Sequence, residues 1–380
     1  MNKENRYLFA ATLLTILIFS VAIYVAVKLP RINLIGGFPP EKVIEFEGTH
    51  LAGWKEGQKQ WEIYAEAIWY TKDQSITTFE KVSEGTLFKR GRAVIKNLKA
   101  RQIKYNKWTE EIEGFASVPG KTGEAASLQT LVDVDNIGSN EGRSFKNPRF
   151  VFLSAGHLLY GTKTGKSEAT GNVRIVEKDL NIFANKMEIA GNSDTAEILG
   201  NVLIKKKDTS IKASKMRANF RLDRYSFSGN VELAQKDKVA LCELATLENK
   251  SGDMELSGKV RFLIEKATAV IKEGTAKALR NSETRKSLKE KTVITCDRLI
   301  LSTKSKDAQA FGRVDITQKE KHAKSDLATY DGKSEEIVMT GNVFFEKEGE
   351  WLKTQKVLIS VSGEAFEAVG QVEAEFKIKK

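Results

Sequence analysis

Three histidines, His50, His157 and His322, and two cysteines, Cys242 and Cys296, are the residues with which this 380-residue chain could bind a metal or attack an electrophile. A metal site gathers several ligands at characteristic spacing, and each histidine stands alone in the sequence. No glycine-rich phosphate loop, nucleophile elbow or paired-cysteine motif occurs. The acidic pair Glu335-Glu336 falls in a charge-rich turn and reads as solvent-facing. Nothing here calls for an enzyme, a cofactor or a metal. The chemistry left to the chain is that of its apolar residues, which can solvate hydrocarbon, and these recur at fixed intervals.

A Gly-x-Val signal stands at Gly171, Gly200, Gly229 and Gly258, and again at Gly312, Gly341 and Gly370. Every interval is 29 residues except that from Gly258 to Gly312, which is 54 and reads as two periods with four residues deleted. A fixed period of this length marks a repeat architecture. Apolar residues flank the glycines at two and four positions: Val173 and Ile175; Ile198, Val202 and Ile204; Tyr225, Phe227, Val231 and Leu233; Met254, Leu256, Val260 and Phe262; Ile337, Met339, Val343 and Phe345. Alternation with period two is a strand with one buried face. The glycine shares that face, where an interior glycine marks a tight bend.

A second apolar row follows eleven and sixteen to eighteen residues after the glycine, with Ile182, Met187 and Ile189 in one repeat and Ile211 and Met216 in the next. The step between its two parts reverses the parity, so a bulge or bend must lie there. Each repeat is therefore two bent strands, joined by turns such as Lys178-Asp179 and Lys207-Asp208. The expected fold is all-β: an elongated, V-shaped β-jellyroll of two facing antiparallel sheets built from 29-residue repeats, with every apolar row turned into one cleft. The 22 apolar residues named above are the candidate lining of that cleft.

Taken in order, residues 1–7 precede a run of 20 uncharged, mostly apolar residues at 8–27. That is enough to cross a hydrocarbon core of about 30 Å as a single transmembrane helix. A cleaved signal peptide is the competing reading, but the run is too long for one and no small-residue cleavage site precedes Lys28-Leu29-Pro30. The expectation is a single-pass membrane anchor with a cytoplasmic N-terminus and the bulk of the chain translocated. A Gly/Pro linker occupies 28–40. A looser β module spans 41–149, with Trp61-Glu62-Ile63-Tyr64-Ala65 and an early repeat at Ile112, Gly114 and Ala116; Gly85 lies one period before Gly114. Regular repeats fill 150–273 and 292–380, separated at 274–291 by a basic stretch that is either an excursion loop or a joint.

The net charge of +11 reads first as a solvated surface and second as attraction to anionic headgroups; no recognition helix or stacking motif points to nucleic acid. The two cysteines fill the small slot held elsewhere by Ala184 and Ala213. Placed two repeats apart, they would stand roughly 19 Å from each other, beyond the ~7 Å reach of a disulfide.

The anchor, the linker, the Trp61 to Tyr70 segment and the Gly-Asn-Val series together resemble the bacterial lipopolysaccharide-export bridge proteins. The module at 41–149 resembles LptC, and the repeats from about 150 resemble the OstA-like LptA repeats. The resemblance implies a periplasmic bridge carrying lipopolysaccharide from an inner-membrane ABC transporter, through its permease subunits, toward the outer membrane. It implies docking by the C-terminal edge strand onto an LptA-like adaptor or the outer-membrane translocon. In that edge Val372, Ala374, Phe376 and Ile378 face inward, with strand character up to the last residues. The alternatives are a β-repeat filament with a closed core, and a bridge for phospholipid or another glycolipid.

Overall fold

Extended segments of this chain alternate inward apolar and outward charged side chains, and among the described residues every regular element is a strand. The computed structural model describes residues 44–117, 127–134, 149–191, 193, 195–219, 222–265, 290–360 and 365–377. Residues 44–380 cluster as one compact unit, apart from residues 1–43. The expected cytoplasmic N-terminus, anchor and linker therefore lie outside the described residues, as do most of the basic stretch and Ile378. Among the described residues no helix is long and apolar enough to cross a membrane.

Four long strands open the unit: β1 (Ile44–Lys55), β2 (Gln58–Tyr70), β3 (Ile76–Lys89) and β4 (Arg92–Asn106). Four short ones follow: β5 (Glu111–Phe115), β6 (Leu128–Asp133), β7 (Phe150–Ala155) and β8 (His157–Gly161). Then come β9 (Ser167–Glu177), β10 (Leu180–Ile189), β11 (Thr195–Lys206), β12 (Thr209–Asn219), β13 (Arg224–Gln235), β14 (Lys238–Glu248), β15 (Asp253–Ile264), β16 (Thr292–Ser302), β17 (Ala308–Gln318), β18 (Lys321–Asp331), β19 (Glu336–Lys347) and β20 (Glu350–Ser360). Two short strands, β21 (Ala365–Val369) and β22 (Glu373–Glu375), both pair with β20 and close the ladder. All pairings are antiparallel between neighbours, from β1–β2 onward.

The bends have one local cause. Gly229 and the residue after it, Asn230, both adopt left-handed backbone, with φ of 80° and 50°. Two such residues in succession reverse the strand's course, and the register with β12 slips between Lys212 and Lys215 opposite them. The same pair of positive φ values recurs at Gly171, Gly200, Gly258, Gly312 and Gly341 with their following residues. Only glycine fits the first position. A Cβ on Gly229 would stand 2.8 Å from Cβ of Ser214, which no rotamer change relieves. Each long strand is thus folded across its middle into two halves, which belong to two half-sheets.

The half-sheets face each other. Trp61, near the β1–β2 turn, packs on Phe79 at 5.4 Å and on Tyr105 at 5.3 Å between ring centroids, and Lys55 Nζ donates to Glu110 Oε1 at 2.7 Å. These contacts join strand ends that the bend brings round to opposite sides of one mouth. One rim of the mouth carries two-residue turns such as 178–179, 207–208 and 236–237; the other carries longer turns such as 71–75, 249–252 and 303–307.

Three sequence expectations are corrected. β15 pairs directly with β16, Ile264 opposite Thr292, so the 54-residue interval is one period carrying a long insertion. It is not two shortened periods, and the ladder runs on across it. Consequently Cys242 in β14 and Cys296 in β16 flank β15 and stand about 10 Å apart at two strand spacings, about half the expected separation. Both are buried, free thiols. In the first module neither Gly85 nor Gly114 makes a bend: the left-handed positions inside its long strands are Gly48, Lys81 and Asn97. At Gly114 the strand breaks instead, and two pairs of short strands, β5 with β8 and β6 with β7, replace two bent ones between β4 and β9.

Candidate functional site

The interior between the half-sheets is the place where the recurring residues meet. Of the 22 candidate lining residues, 18 are buried in one hydrophobic cluster; Tyr225, Met254, Ile337 and Phe345 are half-buried and pack against it. Register explains this convergence. Val231 lies opposite Cys242, Leu233 opposite Ile211, and Val260 opposite Cys296, so each inward row continues from strand to strand.

Burial varies in a systematic way across this interior. Residues two positions from the bend are almost wholly buried, as at Val231, Leu256, Val260 and Met339. Residues four positions away are more open: Leu233 and Phe262 are at 8% and 9%, and Tyr225, Met254, Ile337 and Phe345 are half-exposed. Side chains in a wedge closed at the bend and open at the rims follow this gradient. Along the chain the corresponding positions are buried around Gly200, half-buried around Gly341 and exposed around Gly370, where Phe366 reaches 50%. Exposure of the inward row thus rises toward β21 and β22.

On the outside, the ridge of the bends is polar. Asn342 Nδ2 donates to Asp326 Oδ2 at 2.9 Å, Lys259 pairs with Glu243 at 3.2 Å, and Arg313 pairs with Asp297 and holds that carboxyl below its usual range. At these three bends the left-handed residue after the glycine thus reaches back to the strand before. Desolvation pushes the Cys242 and Cys296 thiols up to about 11 and the Tyr225 phenol up to about 12. Water is scarce on the inner face, and a polar group there pays for its burial.

Metal or nucleophile chemistry finds no support in the geometry. His50 lies against Tyr64 and Glu62, His157 beside Phe115, and His322 near Thr317, on three separate strands. Among the described residues no group of three or more His, Cys, Asp or Glu gathers to hold an ion.

The lining list drawn from the Gly-x-Val signal misses the first module. Ile63, Ile68, Phe79, Ile103 and Leu158 belong to the same cluster, and the alternation in Trp61-Glu62-Ile63-Tyr64-Ala65 is the signal that reaches some of them. It also misses Cys296, Leu299, Val314 and Val357, which continue the rows through β16, β17 and β20.

Residues 153–364 match the family described as LptA/(LptD N-terminal domain) LPS transport protein. Among solved structures, the chain resembles LptH from Pseudomonas aeruginosa, described as the LptA homologous periplasmic component of the conserved lipopolysaccharide transport device. That likeness has 8% identity over 45% of this chain and 95% of that one, with a TM-score of 0.22, too low to support a conclusion. No curated protein matches the chain.

Proposed function

This chain belongs to the LptA/(LptD N-terminal domain) family of LPS transport proteins, and on that premise we propose that its interior is a path for the acyl chains of lipopolysaccharide. The observation that carries the reading is the exposure gradient. The apolar rows are continuous from strand to strand and open progressively toward the rims. Each CH₂ moved from water into such a trough gains about 0.8 kcal/mol, so a lipid with several chains can be held without polar contacts while its sugars stay in water. Roughly nineteen strand positions at about 4.8 Å give a path on the order of 85 Å along the ladder.

The finer parts of the proposal are an inner-membrane anchor at 8–27, a periplasmic location for the strands, and an LptC-like role for 41–149 beside the permease subunits of an ABC transporter. Transfer onward uses the last edge. Among the described residues β21 and β22 pair on one side only, with β20, and Phe366 and Phe376 are exposed there. An unpaired edge is a template for strand addition, which would align this interior with that of an LptA-like adaptor or the outer-membrane translocon.

A photocrosslinker at Ile211, Met216 or Phe227 is expected to capture lipopolysaccharide, and one at the exposed Lys212 or Arg217 is not. Equal labelling of both sets sinks the proposal. A closed-core filament is the second reading, favoured by the near-complete burial of Val231 and Leu256. Val231→Asp separates the two. In a trough that water can enter, the carboxylate impairs transport while the fold persists; in a dry core it costs several kcal/mol and unfolds the repeat.

A further inference from the structure

The two rims of the mouth differ in chemistry. The inward row beside the two-residue turns runs from Ile175 through Leu233 and Phe262 to Leu352, and from β9 to β20 it holds only Ile, Leu, Ala and Phe. The inward row beside the longer turns is otherwise composed. Tyr70 lies opposite Thr77, Thr77 opposite Tyr105, Tyr105 opposite Ile112, Ile112 opposite Tyr160, and Tyr160 opposite Ser167. The same row continues through Ile189, Ala196 and Ala218 to Tyr225. From there it passes Leu247, Met254, Leu301 and Ala308 to Tyr330. The sequence has eight tyrosines, six of them within the described residues, and five of those six stand in this one row.

Each of the five lies one or two residues from a long turn, and four of them, Tyr70, Tyr105, Tyr225 and Tyr330, are half-buried there. Tyr225 donates to Asp223 Oδ1 at 3.0 Å within such a turn, and Tyr105 lies against Trp61. Tyr160 is fully buried and its hydroxyl has no hydrogen-bond partner; the Oγ of Ser167, its cross-strand neighbour, has none either. A hydroxyl kept there without a partner costs free energy that phenylalanine would not. Tyrosine with an apolar body and a wet tip is the residue of boundaries between hydrocarbon and water.

We propose that this tyrosine row binds the polar level of the lipid, the ester, amide or hydroxyl oxygens where acyl chains meet the head, and that it fixes which rim the head faces. The proposal rests on the reading of the interior as a lipid path. With hydroxyl donors on one rim and, from β9 to β20, only hydrocarbon on the other, the lipid has one favoured orientation across those strands. The rows of Ile, Leu and Phe take the chains, and the row of Tyr takes their carbonyls.

The test uses the full chain held in amphipol and two soluble probes, dihexanoyl phosphatidylglycerol and its dihexyl ether analogue, which lacks the carbonyls. Affinities are read by displacement of a dansylated fatty acid. Wild type is expected to prefer the ester by about three- to ten-fold, the worth of one or so net hydrogen bonds. The five-fold variant Y70F/Y105F/Y160F/Y225F/Y330F is expected to bring that ratio close to one, and Y225F alone to lower it in part. Equal binding of ester and ether by wild type, or a preference retained in the five-fold variant, overturns the tyrosine row and leaves the lipid path standing, since the ether still binds. Binding of neither probe overturns both.

Discussion

Gly229→Ala is the change that most directly challenges the account of the bends. At φ of 80° an L-residue pays about 1–2 kcal/mol for left-handed backbone. The added methyl would also lie 2.8 Å from Cβ and 2.7 Å from Oγ of Ser214. The hydroxyl can rotate away but the Cβ cannot, and overpacking of this kind costs about 1–3 kcal/mol. The sum, on the order of 2–5 kcal/mol, is large for one position in a repeat array, where stability is shared between neighbours. Ser214→Gly removes the second contribution and leaves the first, so the double variant S214G/G229A is expected to recover about 1–3 kcal/mol relative to the sum of the single changes. Urea unfolding followed by circular dichroism measures the totals, and amide exchange in β12 and β13 shows whether the loss is local. A G229A protein as stable as wild type, or a double variant without recovery, refutes the steric origin of the bend.

Further expectations follow from burial and from titration. Leu256→Ala, at a position with no exposure, is expected to cost about 2–5 kcal/mol in the same unfolding assay. Tyr160→Phe is expected to leave stability unchanged or raise it by about 1 kcal/mol, because it removes a buried hydroxyl that has no partner; a clear loss would reveal a contact the geometry lacks. Cys242 and Cys296 should resist alkylation at pH 8 until the chain is denatured. Burial raises both thiols from the ordinary 9.0 to about 11, so the stability they contribute is complete below pH 9 and is lost as pH rises through 11. Arg313→Ala should leave the urea midpoint unchanged, since its pair with Asp297 is exposed and screened by solvent. Proline at Glu373, a residue paired with Lys353, tests the last edge: normal partner binding by a folded variant would remove that edge from the docking scheme.

What the sequence determined by itself is what each strand settles locally. Side chains alternate with period two, so Phe227, Val231 and Leu233 had to share a face whatever their neighbours. The recurrence of Gly and Val at 29 residues required that the same strand be built repeatedly. The parity reversal before Met187 and Met216 announced the bulges found at Phe183/Lys186 and Lys212/Lys215. Pairing is another matter, because a strand does not encode which strand lies beside it. Asp253 to Ile264 carries nothing to say that its partner waits beyond a long insertion, so the 54-residue interval was miscounted and the cysteines were set too far apart. In the first module two bends fall at Lys81 and Asn97, residues with no Cβ-free signature, and the third, at Gly48, stands outside the 29-residue series. The tyrosine row is the clearest case of a feature made by tertiary structure. Tyr105, Tyr160, Tyr225 and Tyr330 follow no common interval in the sequence, and they line one rim only because the registers of all the intervening strands, with a bulge in most of them, add up to the same row.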